Sequence, residues 1–259
     1  MAAAKKNRRE VIVELTRQHR HVSVEVLAGQ LGVSAQTIRR DINKLCEQNI
    51  LRRRHGGAEL FERQLNTPYD ERTTTNPEAK HAIAGVAASL VPDDSTVFIS
   101  VGTTPAMVAE ALKFRKGLTV VTNNLNAAMA LAHEPTNRII LPGGELRLPD
   151  RDILGDHVVD LVTAYRAEFA IFGVGGVAAD GSLLDFHRSE VRLREAMREG
   201  CQQALLVVDH SKFGRFAPAV GGHLSQMDRI IMDRTPDGAF AAVLEPVLDR
   251  VLFVGDRSA

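Results

Sequence analysis

Apolar residues recur with a helical spacing through roughly the first fifty positions and gather into short unbroken runs beyond residue 95. In the first region the spacing predicts a helix over Lys6–Gln18, with Val11, Ile12 and Leu15 facing inward. Ser23 suits an N-cap, because its hydroxyl can accept from the open N–H groups of a first turn. The helix behind it turns Val24, Leu27 and Leu31 inward. Gly32 stands where the chain must reverse, a place for a residue that tolerates positive φ. Ser34 caps the next helix, in which Ile38, Ile42 and Leu45 fall at i, i+4 and i+7. Its other faces carry Gln36, Thr37, Arg39, Arg40, Asn43 and Lys44. Two helices about a glycine turn, the second with a basic and amide-rich surface, predict a helix-turn-helix. From Ile50 to Ala58 the period becomes that of a strand and ends in Gly56-Gly57, which predicts a β-wing beside it.

Residues 59–75 have no sustained period and read as a linker with a docking segment at Pro68–Arg72. Asn76-Pro77-Glu78 is a helix start: a cap, a proline in the first turn, then an acid at the positive end. Strand-like runs follow at Thr96–Val101, Leu118–Thr122, Arg138–Leu141, Phe169–Gly173, Ala204–Asp209, Arg229–Met232 and Val251–Val254. Helical patterns alternate with them at Pro105–Leu112, Leu125–His133, His157–Thr163, Ser189–Arg198 and Gly238–Leu248. Continuous Val/Ile/Leu strands alternating with helices predict a mostly parallel sheet covered on both faces, a Rossmann-like α/β fold. The expected division is a winged head at 1–58, a linker at 59–75 and an α/β body at 76–259.

Charge sharpens this division. The formal net charge of zero conceals a split: residues 1–58 hold twelve Lys and Arg against five Asp and Glu, and the remainder hold twenty against twenty-seven. A basic head on an acidic body points to nucleic acid as the head's partner. In a helix-turn-helix the second helix lies in the major groove. There Arg39 and Arg40 suit guanine edges or phosphates, Gln36 and Asn43 suit adenine, and the Thr37 methyl suits thymine. Ser34, Lys44 and the wing residues Arg53 and His55 complete the expected DNA face. Each of these side chains, taken alone, is equally at home on a solvated helix. Asp41 reads as orienting a neighbouring arginine. Cys46 and Cys201 lie far apart without metal-ligand spacing, no run is long enough to span a bilayer, and the N-terminus lacks the apolar stretch of a secretory leader. The expectation is a cytoplasmic chain with no membrane partner, no metal and no cofactor.

Glycines and small polar residues gather where the strands of the body end. They are Gly102-Thr103-Thr104-Pro105, Asn123-Asn124, Gly143-Gly144-Glu145, Gly173-Val174-Gly175-Gly176 and Asp209-His210-Ser211-Lys212. Open α/β sheets bind ligands outside the carboxyl ends of their strands. A helix that starts behind such a loop offers free N–H groups to an anion. Lys212 is the cation these loops contain, so a phosphorylated small polyol or sugar is the expected ligand. The candidate contacts are Ser100, Gly102, Thr103, Thr104, Asn123, Asn124, Gly143, Gly144, Gly175, Glu190 and Lys212. Glu190 either bonds a ligand hydroxyl or serves its own helix start. Glu190, Asp209 and His210 also leave open an alternative, a sugar-phosphate isomerase-like enzyme carrying a DNA-binding head, although no nucleophile, base and orienter can be recognised together.

Two sets of residues resemble one family. The run Val33-Ser34-Ala35-Gln36-Thr37-Ile38-Arg39-Arg40-Asp41, with Leu45 and then His55-Gly56-Gly57-Ala58, is similar to the signature of the DeoR family of bacterial transcription repressors. In the body, Gly102-Thr103-Thr104, Thr122-Asn123-Asn124, Gly143-Gly144-Glu145, Glu190-Val191-Arg192 and Asp209-His210-Ser211-Lys212-Phe213 resemble that family's effector domain, a relative of the ribose-5-phosphate isomerase fold. The resemblance implies an operator-binding dimer or higher oligomer, and an inducer such as glycerol 3-phosphate that weakens operator binding. Ser100 departs from the pattern, which usually has Asp there; serine offers a polyol hydroxyl a neutral contact instead of an ionic one.

Overall fold

The computed structural model describes residues 8–9, 11–16, 21–47, 51–54, 56–60, 66–236 and 238–254. The chain falls into two units, Met1–Leu65 and Asn66–Ala259. The division lies inside the segment expected as a linker. Residues 59–60 finish a strand of the head, and residues 66–75 belong to the body.

In the head, helix α1 (residues 11–16) is followed by strand β1 (His21–Ser23), helices α2 (Val24–Leu31) and α3 (Ala35–Glu47), and strands β2 (Leu51–Arg54) and β3 (Gly57–Leu60). Ser23 caps α2 by accepting from Val26 N at 3.2 Å, and Gly32 ends it with φ 62°. Ser34 accepts from Thr37 N at 3.2 Å and starts α3. Ile12, Leu27, Ile38, Ile42, Leu45 and Leu51 are buried together. Val11, expected inward, is exposed; Ile12 and Leu15 face the core as expected, joined by Thr16, whose hydroxyl donates to Ile12 O at 2.7 Å. The wing pairs β2 with β3, and β1 extends it into a three-stranded antiparallel sheet. Gly57 makes that closure possible, since a Cβ there would lie 2.2 Å from Val22 O.

The body opens with α4 (Tyr69–Thr74) and α5 (Pro77–Ser89). Asn76 does not cap α5 with its side chain; its amide donates to Asp209 Oδ1 at 3.0 Å. Next come β4 (Thr96–Ile99), α6 (Thr103–Ala111), β5 (Thr119–Thr122), α7 (Leu125–Leu131) and β6 (Arg138–Ile140). A hairpin, β7 (Leu146–Arg147) and β8 (Asp152–Ile153), precedes α8 (Asp156–Thr163) and β9 (Ala167–Phe172). Then follow β10 (Gly176–Val177), β11 (Ser182–Asp185), α9 (Arg188–Glu199), β12 (Cys201–Val207), β13 (Ala219–His223), β14 (Arg229–Met232), α10 (Ala239–Leu244) and β15 (Val251–Phe253). The helical pattern expected to reach Leu248 passes into a 3-10 turn at Glu245, where Pro246 supplies no N–H for an α-helical bond.

All seven expected strands form one parallel sheet in the order β15-β14-β12-β9-β4-β5-β6. Successive residues of a strand point to opposite faces, and here both faces are covered. Phe98 and Leu206 pack in one layer with Phe172, Met197 and Ile230, whereas Ile99 and Leu205 pack in the other with Ile83, Val108 and Leu112. That double burial is why the strands read as unbroken apolar runs. The chain leaves β4 toward β5 and β6 on one side and returns through β9, β12, β14 and β15 on the other. The order therefore reverses between β4 and β9, which opens a crevice at their carboxyl ends.

Candidate functional site

On the head, α3 presents Ser34, Gln36, Arg39, Arg40 and Lys44 to solvent, with Thr37 and Asn43 half-buried. The Ser34 and Thr37 hydroxyls lie 3.0 Å apart, so each fixes the other. Arg39 is 60% exposed and reaches Glu25 only at 3.9 Å, which leaves its guanidinium available. Arg53 crosses from the wing and donates to Asn43 Oδ1. Arg39, Asn43 and Arg53 thus share a cleft between α3 and the wing. His55 lies outside the described residues. Asp41 orients arginines, but not its neighbour Arg40. It is buried, and it accepts from Arg8 Nε at 2.7 Å and from Arg9 Nε at 3.0 Å, tying α3 to the start of the chain.

In the body a cavity of about 50 Å³ lies at the crevice between β4 and β9. A single water needs roughly 10–15 Å³ on this measure, so the cavity suits a small molecule. Its lining includes Ser100, Gly102, Thr103, Thr104, Gly175, Glu190 and Lys212 from the expected set. Gly102 carries φ 129°, a conformation that excludes side chains, and turns the chain from β4 into α6. No side chain caps α6, so its first two amides, those of Thr103 and Thr104, have no capping partner; Pro105 has no N–H. Gly175 lets two segments touch, since a Cβ would lie 2.9 Å from Leu184 O.

Four expected contacts do not line the cavity. Asn124 is buried and spends its carboxamide on structure: Oδ1 accepts from Asn126 N and Ala127 N to cap α7, and Nδ2 donates to Ser100 O and Gly102 O, each at 3.1 Å. It therefore holds the Gly102 loop in place rather than facing its contents. Asn123 donates to Ile153 O at 3.1 Å. Gly143 and Gly144 pack beside His157, whose Nε2 lies 2.8 Å from Gly143 O.

The cavity also holds charges that the loop pattern did not reveal. Lys212 was expected as its cation, but Arg72, Arg194 and Arg215 line it too, interleaved with Asp150, Asp185 and Glu190. Asp185 accepts from Gly175 N at 2.9 Å and pairs with Arg194. Burial holds its pKa above the ordinary carboxylate range despite Arg194. Glu190 is raised by burial and by Asp185; it accepts from Arg147 at 2.9 Å and closes a capping box with His187. The helix-start alternative for Glu190 is thus realised at a residue that also faces the cavity. Arg147 additionally bonds both oxygens of Asp152 at 2.8 Å. Lys80 is buried beneath the loop, 3.5 Å from the Thr103 hydroxyl, and burial lowers its pKa. Lys212 is pushed down to about 7 by burial and then by the Arg215 charge, with Asp209 opposing. These members escaped the sequence because they meet across long separations; Arg72 and Asp150 are 78 residues apart.

Of the acid–base candidates, Asp209 accepts from Ser211 N and Asn76 through Oδ1, while its Oδ2 is buried without a partner among the described residues, and the His210 ring bonds Asp233. Among the described residues no cluster of three or more His, Cys, Asp or Glu is placed to hold a metal, and no helix is long and apolar enough to cross a membrane.

Residues 8–64 match the DeoR-like helix-turn-helix domain, and residues 75–234 match the DeoR C terminal sensor domain. The chain belongs to the DeoR family, as a transcriptional repressor and not an enzyme. It is similar to the glycerol-3-phosphate regulon repressor of Escherichia coli (strain K12), with 46% identity over 233 residues that cover 90% of this chain and 92% of that protein. The repressor of the same description from Haemophilus influenzae is 41% identical over 231 residues, 89% of this chain and 90% of that one. Among solved structures, ribose 5 phosphate isomerase A from Neisseria gonorrhoeae matches at 16% identity and a TM-score of 0.38, covering 57% of this chain and 56% of that chain.

Proposed function

We propose that this repressor releases its operator when a small phosphorylated polyol or sugar, glycerol 3-phosphate foremost, occupies the body's cavity. The observation that carries the reading is the uncapped start of α6 opening, with Lys212, into a cavity at the sheet's reversal point. Free amides and an ammonium bind a phosphate, while the carboxylates among the lining residues can accept from hydroxyl groups. The relatives at 46% and 41% identity are glycerol-3-phosphate regulon repressors, which supports glycerol 3-phosphate as the polyol. The head, residues 1–65, grips the duplex, and the body, residues 66–259, senses and oligomerises, as a dimer or tetramer in the cytoplasm. A linkage operates the release: the effector shifts DNA binding by as much as its affinities for the two states differ, typically ~1–3 kcal/mol.

The test is a fluorescence titration on a DNA fragment that the protein selects from a random library. Glycerol 3-phosphate is expected to weaken binding at fixed salt, and unphosphorylated glycerol is not. Failure of every phosphorylated polyol and sugar to do so overturns the reading. In the same assay Arg39→Ala is expected to weaken selected DNA roughly 10-fold and to relax base preference at one position, since one well-placed arginine–guanine contact is worth ~1–3 kcal/mol. Unchanged affinity and preference refute the placement of Arg39 in the groove.

Proton linkage gives an independent check. Before ligand binds, Lys212 titrates near 7. A phosphate dianion beside it favours the ammonium and raises that pKa, so binding at pH 8 takes up close to one proton. Affinity is then expected to fall by up to about tenfold per pH unit above 7, until the liganded pKa is reached. Calorimetry at pH 8 in buffers of different ionisation enthalpy reads the proton directly; zero uptake contradicts a phosphate against Lys212.

A further inference from the structure

The cavity wall includes the connector itself. Asn66, the first residue of the body, lines the cavity, and so does Arg72 on α4 six residues later. Asn66 donates to Asp150 Oδ1 at 3.3 Å and accepts from Arg215 Nη2 at 3.2 Å. The same guanidinium donates to the Thr67 hydroxyl at 3.3 Å. Arg72 bonds Asp150 through Nη2, while its Nε is buried with no acceptor among the described residues. A buried guanidinium with an unused N–H at the edge of a cavity is a donor that an anion completes.

The two arginines that hold residues 66–72 are therefore also cations of the cavity. We propose that Arg72 and Arg215 form an effector-operated latch: a phosphoester in the cavity draws both guanidiniums to itself and loosens their hold on Asn66, Thr67 and Asp150. The inference rests on the phosphoester reading above and adds the route by which occupancy reaches the head. Sequence continuity makes that route direct, because the segment the latch holds begins where the head ends. No chain of packed residues across the body is needed. Asp150 competes with the ligand for Arg72, so the carboxylate sets how readily the latch opens.

The test compares wild type with Asp150→Asn and, as control, Asp156→Asn, which removes an ion pair to Arg192 away from the cavity. Calorimetry with glycerol 3-phosphate reads effector affinity, DNA titration with and without it reads coupling, and hydrogen exchange reads residues 66–75. In wild type the effector is expected to speed exchange in that segment. Asp150→Asn is expected to bind effector at least as tightly as wild type. Its DNA affinity without effector should fall toward that of liganded wild type, leaving less than a twofold response to effector. The control keeps the wild-type response. Wild-type coupling in Asp150→Asn, or exchange that ignores effector, overturns the latch. If wild type binds no phosphoester at all, the functional reading falls; the latch is then judged on DNA affinity without effector, which must still drop in Asp150→Asn. Should Asp150→Asn not fold, Arg72→Lys takes its place, with the same loss of coupling expected and its retention refuting the latch.

Discussion

A Lys212→Ala repressor is expected to hold its operator as tightly as wild type and to stay there when effector is added. The side chain lies in the body, remote in sequence from α3, and faces the cavity that the α6 amides also face. A charge-assisted hydrogen bond to a phosphate is worth roughly 1.5–3 kcal/mol, so effector affinity should fall by about 10- to 100-fold. A release that depends on occupancy then disappears at ordinary effector concentrations. A second readout separates this role from a structural one. Burial holds the Lys212 pKa near 7, against 10.5 when unperturbed. Between those values the unfolded chain binds a proton that the folded chain lacks, so this lysine makes the ligand-free protein more stable as pH rises from 7 to 10. Below 7 its burial penalty is fully present. Lys212→Ala should therefore melt higher than wild type at pH 6 to 7, and the gap should close toward pH 10. Unaltered effector affinity in calorimetry, with release intact, rules out Lys212 as the phosphate's counter-charge.

The elements that could be read in the sequence are those whose evidence is local. The seven parallel strands were legible because both faces are buried, as the opposed packing of Leu205 and Leu206 shows. The antiparallel sheet β10-β11-β13 was not. Its strands are short, β13 contains Gly221 and Gly222, and β11 finds β13 only after α9 and β12 have intervened. The same limit governs the cavity. Gly102 and Lys212 announce themselves by strand-end position, whereas Arg72, Asp150 and Arg215 acquire meaning only when the fold brings them together. Asn124 shows the reverse failure. An asparagine after a strand suits a ligand and a helix cap equally, and the sequence has no way to show that both ends of its carboxamide are already used. For Asp41 the sequence correctly suggested an arginine partner, but proximity along the chain pointed to Arg40 and the fold supplied Arg8 and Arg9.

That last substitution of partners makes Asp41 the residue on which the head depends most. Its side chain is 2% exposed, and Arg8 and Arg9, which precede α1, converge on it. It lies one position from Ile42 and four from Leu45, on the inner face of α3, the helix proposed to read DNA. Removing the carboxylate takes away the acceptor that both half-buried guanidiniums share beside the head's core. Breaking a buried pair from one side typically costs about 3–5 kcal/mol. A head of this size rarely has more than ~3–5 kcal/mol of core stability to lose. Asp41→Ala is therefore expected to unfold the head near room temperature while the body, with its own two core layers, stays folded. In the full-length protein, selected DNA should be lost by more than 100-fold, calorimetric effector binding should persist, and NMR should show the head's amides collapsing to unfolded positions. Asp41→Asn keeps the shape and part of the hydrogen bonding, so it should fall between the two. An Asp41→Ala protein that still binds selected DNA within a few-fold of wild type would mean that packing by Ile12, Ile38 and Leu45 holds α1 to α3 without the ion cluster.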